Sequence, residues 1–415
     1  MIGWGKAFHN QQPFLLFLSF PFFSFPSNQQ RLLLIEFDRI LLITDVIQSL
    51  PSKRGNNDLL SFKSNRTSFI LAISYTETST IPGLTVAGAN TKLLKYTPAA
   101  DAEYIYYGRC KCIDTIPATP DGKPTPAIIS KTALDLSNIP ISVVESGSKI
   151  KPNLPYVNID SEFGKNILQE PGLEIGNVIK NYDMGKLLGK ELAKINETVI
   201  IGESIPGGTT TALGVMQALG VDGYSKVSSS MPDNPNELKN KIVEKALLRL
   251  KMRTGDCSND PFGAIATLGD PLMPTVVGLA EEIISTKKKI ILAGGTQMCC
   301  ILALLKSLNV KLRDNICIGT TSYIINDKKS DILGLMNNIS DEVPIFYIDL
   351  LLENSTKKGL RSYSEGFVKE GAGAGGCSIA SFLNNDNLTK EQFLHKLEEN
   401  YIKTIERPSL VFTNK

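Results

Sequence analysis

The sequence predicts an α/β fold of the Rossmann-like, doubly wound kind: a mostly parallel sheet flanked by helices, with a smaller helical lobe drawn from the beginning and end of the chain. Three observations predict it. From about residue 66, short β-branched runs alternate with amphipathic helical segments, the runs are almost continuously apolar, and they end in Gly, Ser or Thr. Strands covered on both faces of a parallel sheet are apolar at nearly every position. Their alternation with helices implies right-handed crossovers.

The strand candidates are Ser68–Ser74, Ile141–Val144, Thr198–Ile201, Lys289–Ala293, Ile316–Gly319 and Ile345–Leu350. Between them, Met184, Leu188, Leu192 and Ile195 make one helical stripe, and Leu238, Ile242, Ala246 and Leu250 make another. The clearest unit runs from Lys289 to Leu350: strand, Gly294-Gly295, helix over Met298–Leu308, strand, Thr320-Thr321, shorter helix near Asp331–Asn338, strand. No repeat and no Pro- or Ser-rich linker divides the chain. Residues 31–415 therefore read as one domain, with its core at about 66–383. Residues 1–30 are set outside the fold as a disordered or spurious extension. Their apolar run, Phe14 to Phe25, is short for a bilayer and broken by Pro21, and a signal peptide's basic start and cleavage site are poorly matched.

Composition excludes several classes of function. A chain of 415 residues, 42% hydrophobic and 21% charged, is ordinary for a globular protein. Its formal net charge of +2, without a long Lys/Arg run, gives no electrostatic basis for a nucleic-acid or membrane partner. Seven cysteines without framework spacing suit a reducing cytoplasm, and Cys110-x-Cys112 has no second pair or nearby His to complete a zinc set. Histidine is scarce: only His9 and His395 occur, the latter in KEQFLHKLEEN, which reads as a solvated helix. A Ser-His-Asp triad, a His-rich metal site and a histidine base are thus disfavoured. Proton chemistry falls to Asp, Glu, Lys, Tyr or Cys, with no metal and no cofactor expected.

In open α/β sheets, ligands lie beyond the carboxyl ends of the strands. Three segments fit that place. Val199–Leu213, VIIGESIPGGTTTAL, runs from strand through Glu203 to a Pro206-Gly207-Gly208 turn, and Thr209-Thr210-Thr211 open a helix stopping at Gly220. Glycines and hydroxyls at a helix start cradle phosphate, although the same residues also make a plain N-cap. The Lys of a Walker A loop is absent. Tyr363–Ser378, YSEGFVKEGAGAGGCS, places Gly371, Gly373, Gly375 and Gly376 after Glu370. Its G-x-G-x-x-G is a poor dinucleotide fingerprint because no strand precedes it. Low-dielectric surroundings can raise Glu370 toward a working general base; a flexible surface loop is the other reading. Ile290–Gln297, IILAGGTQ, offers Gly294, Gly295, Thr296 and Gln297 to a base or carboxylate, or forms an ordinary βα turn. Cys299 and Cys300 read as small core residues. Weaker candidates are Tyr75–Asn90, with Glu77 and Thr78 as base-binding residues, and the Pro-stiffened loop Pro117–Pro126, with Asp121 and Lys123.

Taken in order, GESIPGGTTTALGVMQALG, LGDPLMPTVVGLA, ILAGGTQM and EGAGAGG resemble the nicotinate-nucleotide–dimethylbenzimidazole phosphoribosyltransferase family, in its divergent archaeal and cyanobacterial branch. The resemblance covers about residues 66 to 383. It implies a Rossmann-like sheet, a homodimer, and transfer of a 5-phosphoribosyl group from nicotinate mononucleotide to a lower-ligand base, dimethylbenzimidazole, adenine or similar. The products would be an α-ribotide and nicotinate, within nucleotide-loop assembly of cobamides. By the same resemblance Glu370 matches the family's glutamate base, and Glu203 a second family carboxylate. Gly207 to Thr211 and Gly371 to Gly376 would face phosphate and ribose. The sequence departs from the pattern at Lys369 (for Gly), Ala372 (for a hydroxyl) and Pro206-Gly207-Gly208. The alternatives are a non-catalytic nucleotide-binding protein keeping the fold, and a dinucleotide oxidoreductase using GAGAGG.

Overall fold

The computed structural model describes residues 45–50, 58–88, 90–312 and 314–407. The expectations for residues 1–30 and for His9 lie outside these residues. Eight strands form one sheet: β1 (Ile47–Leu50), β2 (Thr67–Ile73), β3 (Ile141–Glu145), β4 (Val157–Asn158), β5 (Thr198–Ser204), β6 (Lys289–Ala293), β7 (Ile316–Thr321) and β8 (Ile345–Ile348). Their spatial order is β1-β8-β7-β6-β5-β2-β3-β4. Every neighbouring pair is parallel except β1 with β8. The predicted mostly parallel, doubly wound sheet is what forms, and all six strand candidates lie in it.

Side chains alternate between two apolar layers. Ile70, Ala72, Val199, Ile201, Ile290 and Leu292 enter one, which includes residues of the helices Ile175–Ile195, Gly208–Leu219, Leu272–Ser285 and Thr296–Ser307. Phe69, Leu71, Ile73, Ile200, Ile291 and Ala293 enter the other, with the helices Thr97–Tyr107, Ala127–Ser137, Ala374–Asn384 and Lys390–Tyr401. The helical contribution expected from the beginning and end of the chain is this second layer, packed directly on the strands. Two expectations need correction. The segment around His395 is not solvated throughout: Phe393 and Leu397 are buried, so one face of that helix docks while His395 faces outward. The stripe ending at Ile195 overruns its packing surface, since Leu192 is buried and Ile195 is exposed.

The sheet's topology places the site. From β2 the chain winds through β3 and β4 toward one edge, then returns to the other side of β2 and winds through β5, β6, β7 and β8 toward the opposite edge. The order reverses between β2 and β5. Crossovers leave in opposite directions there, and a crevice opens beyond the strands' carboxyl ends. Among the described residues, no helix is long and apolar enough to cross a membrane.

Candidate active site

A cavity whose empty space, counting its open mouth, is about 940 Å3 occupies this crevice. The segment after β2 supplies Leu84 to Ala87, the end of β5 supplies Glu203 to Thr209, and the turn after β6 supplies Gly295 to Gln297. The loop Ser228–Ser230, the Pro117–Pro126 loop and the strap Val368–Ala372 complete the walls.

One end is acidic. Glu203, the penultimate residue of β5, is buried, and the nearby Ile205 amide acts to lower its carboxyl. Burial holds its carboxyl well above the usual range, and the neighbouring Asp270, Glu370 and Asp101 add to the effect. Glu370 is anchored differently. Its Oε1 accepts the amides of Gly371 and Gly375, both at 3.1 Å, and its Oε2 accepts the Thr321 amide at 3.0 Å and the Thr320 hydroxyl at 3.3 Å. Burial pushes it up to about 7 against those donors. The backbones of the two residues are tied together, the Ala372 amide donating to the Glu203 carbonyl at 2.9 Å. Two further buried acids lie nearby. Asp101 also lines the cavity, accepts the hydroxyls of Ser204 and Thr125, both at 2.7 Å, and is raised by burial to about 7. Asp270 accepts the Thr211 hydroxyl at 2.6 Å and is raised by burial to about 6.

The other end favours anions. The helices Gly208–Leu219 and Thr296–Ser307 both begin at the cavity wall, and neither carries a side-chain cap. A helix start without a cap presents amide hydrogens and the positive end of the helix dipole. Below them lies Lys239, only 1% exposed. Its Nζ donates to the Thr209 hydroxyl at 2.9 Å and to the Ser228 carbonyl at 2.5 Å. Burial, with help from the nearby Lys369 and against the pull of Asp327, lowers its pKa to about 7.

The predicted site residues divide accordingly. Glu203, Glu370, Gly207, Gly208, Thr209, Gly371, Gly295, Thr296 and Gln297 line one cavity. Glu77 and Thr78 do not: Thr76 caps a short turn there, Glu77 pairs outward with Lys149 at 3.2 Å, and the Thr78 hydroxyl donates to the Lys165 carbonyl. That stretch reaches the cavity through Leu84–Ala87 instead. Thr210 and Thr211 point into the protein, Thr211 to hold Asp270. Gly294 is buried against Met298 behind the lining. Gly373, Gly375 and Gly376 serve packing rather than phosphate. A Cβ on Gly375 would collide with the Thr320 backbone, and one on Gly376 with Ala293. The Gly375 amide is already given to Glu370, so the helix start at Ala374 holds a side-chain anion of its own. Of the weaker loop, Lys123 lines the cavity and Asp121 does not. Sequence reasoning missed Asp101, Lys239 and Ser228–Ser230. Only the serine run in KVSSSMP carried a visible signal.

Fold and cavity together define a doubly wound α/β protein with a ligand site at the switch point. The same fold is found in the crystal structure of nicotinate-nucleotide–dimethylbenzimidazole phosphoribosyltransferase from Thermus thermophilus, with a TM-score of 0.55 and 13% identity over 87% of this chain and 95% of that one. A second structure, described as CobT from the same organism, gives the same score and identity over 87% and 96%. The chain itself belongs to the UPF0284 family. It is 43% identical over 357 residues to a UPF0284 protein of Archaeoglobus fulgidus, covering 86% of this chain and 99% of the relative. It is 46% identical over 340 residues to one from Sulfurisphaera tokodaii, covering 82% and 94%. No family model matches the sequence.

Proposed function

We propose that the chain transfers the 5-phosphoribosyl group of nicotinate mononucleotide to a lower-ligand base, giving an α-ribotide and nicotinate in cobamide synthesis. One observation carries this reading: a single cavity is lined both by uncapped helix starts, with Lys239 buried behind Thr209, and by Glu203, Glu370 and Asp101. Nicotinate mononucleotide offers a phosphate to the helix starts and a pyridinium nitrogen, on a ring that also bears a carboxylate, to the acids. Leu84, Val86, Pro117 and Ile205 provide apolar wall for an aromatic base. The resemblance brings a cytoplasmic homodimer with it as part of the same reading.

The chemistry then follows from charge. As the ribose carbon passes between the two bases, an incoming ring nitrogen uses its lone pair to form the new bond to C1′. The bond to the pyridinium nitrogen breaks, and its electron pair neutralises that ring, so nicotinate departs without a general acid. The acceptor must lose an N–H proton, which passes to Glu370 as general base, with Glu203 as helper or ribose contact. Four donors fix the Glu370 carboxylate before the substrate arrives.

The test is incubation with nicotinate mononucleotide and a panel including dimethylbenzimidazole and adenine, with products read by mass spectrometry. Release of nicotinate together with a ribotide is expected. Nucleotide binding by calorimetry, with no nicotinate released for any base, overturns the reading in favour of a non-catalytic nucleotide-binding protein.

A further inference from the structure

The strap that carries Glu370 has an unusual backbone. Val368 (φ 60°), Lys369 (φ 39°) and Ala372 (φ 50°) all occupy the left-handed region without being glycine. That region is costly for any residue with a Cβ, and most of all for a β-branched one such as Val368, so surrounding contacts must impose it. Main-chain contacts supply part of the restraint. The Val368 amide donates to the Ser230 carbonyl at 2.9 Å, and the Thr321 hydroxyl donates to the Lys369 carbonyl at 2.7 Å.

The remaining restraint is a buried ion pair that the reaction does not use. Lys369 Nζ lies 2.8 Å from Asp327 Oδ2, with side chains 2% and 5% exposed. It also donates to the Met231 carbonyl at 3.0 Å and to Asn234 Oδ1 at 3.1 Å. Asn234 in turn donates to Asp327 at 3.1 Å and accepts the Ser229 hydroxyl at 2.6 Å. Burial alone would raise Asp327, but the Lys369 ammonium outweighs it and holds the carboxyl low, whereas burial lowers Lys369 itself against the pull of Asp327. The chain of contacts Lys369–Asp327–Asn234–Ser229 therefore links the residue beside Glu370 to the adjoining serine wall of the cavity.

We infer that Lys369 and Asp327 are positioning residues: a clasp that sets the Glu370 carboxylate against the Ser228–Ser230 wall. Its catalytic consequence rests on the reading of Glu370 as general base. Removing one partner leaves a lone buried charge and destabilises the protein, whereas replacing both with apolar residues of similar volume is often tolerated. The decisive comparison is therefore K369M against the double variant K369M/D327L. In the double variant we expect the melting temperature to recover most of what K369M loses. Turnover stays down by roughly 100-fold, because a misplacement of about 1 Å costs that much in rate. KM for nicotinate mononucleotide changes by less than about 3-fold, since Lys239 keeps its bonds to Thr209 and Ser228, the helix starts are unchanged, and removing Lys369 and Asp327 together takes away two opposing influences on it. Recovery of turnover together with stability would show the pair to be structural only and overturn the inference. A second readout is independent of turnover: hydrogen exchange of the 368–376 segment, whose Gly371 and Gly375 amides Glu370 holds, accelerates in the double variant while the β5 and β6 segments keep wild-type protection. Unchanged exchange there also overturns it. If wild-type protein turns over no base while exchange shows the loosened strap, the general-base reading fails and the clasp stands.

Discussion

Glu370 and Glu203 show how one residue type acquires two characters from its surroundings. Glu370 faces four donors, while Glu203 has a backbone amide and three neighbouring acids. Replacing Glu370 with Gln should lower turnover by about 10²–10⁴-fold, the usual contribution of a general base. The amide oxygen still accepts one set of donors, but the amide NH2 faces the other set, so the stability cost is about 1–3 kcal/mol. Steady-state kinetics and a thermal melt check both, and full turnover by this variant removes Glu370 from the mechanism. Lys239 makes an opposite kind of prediction. Lys239 holds the Thr209 hydroxyl at the helix start that lines the cavity, so Lys239→Met should raise KM for the nucleotide about 10–100-fold, as expected for losing a charge-assisted contact of about 1.5–3 kcal/mol. Melting without ligand should be unchanged or higher, and an equal loss with a donor lacking the phosphate would argue against this assignment. The two glutamates were legible because strand ends and glycine-rich bends mark where ligands sit. Lys239 was not, because in NELKNKIVEKAL it reads as one more charged residue beside the stripe of Leu238 and Ile242, and only the Ser228–Ser230 loop folding over it makes it buried.

At the scale of elements, the informative case is the helix Ala374–Asn384 and the glycines at its start. Phosphate loops and close helix–strand contacts both require a missing Cβ, so EGAGAGG could not reveal which use applies. The fold resolves it, since Gly375 and Gly376 lie against the Thr320 backbone and Ala293 on the ends of β7 and β6. Gly375→Ala should therefore cost about 1–3 kcal/mol through overpacking. It should also lower turnover more than that loss explains, because the helix start that anchors Glu370 must shift. Urea denaturation together with kcat at a temperature where the variant is fully folded checks this; a stable variant with normal kcat would contradict it. The same limit explains Glu77 and Thr78. Sequence placed them correctly at the carboxyl end of β2, but the turn capped by Thr76 decides which later residues reach the cavity.

For the whole molecule, the sheet was largely legible because strands buried on both faces leave continuous apolar runs. The two that were not are the edges: β4 has only two residues, and β1 exposes its middle positions. What no single segment could announce is that winding in both directions gathers Asp101, Glu203, Asp270 and Glu370 from four distant stretches into one buried acidic group, with Lys239 buried behind the Thr209 helix start. That gathering sets a pH dependence for the ligand-free protein. Asp101 and Glu370 titrate near about 7 and Asp270 near about 6 in the fold, against about 4 when unfolded. Between those limits the folded state holds more protons than the unfolded one, so stability falls as pH rises from about 5 to 7. Lys239 acts in the opposite sense. Its folded value near 7 lies below the unfolded value of about 10.4, so its penalty eases only as pH rises above 7 and cannot offset the loss below it. The melting temperature should accordingly be higher at pH 5 than at pH 7. Asp101→Asn, which keeps that side chain neutral throughout, should flatten the slope. Melting curves across pH 5–9 decide the matter: a temperature that climbs steadily from pH 5 to 7 would mean that these carboxyls are not neutral in the folded chain.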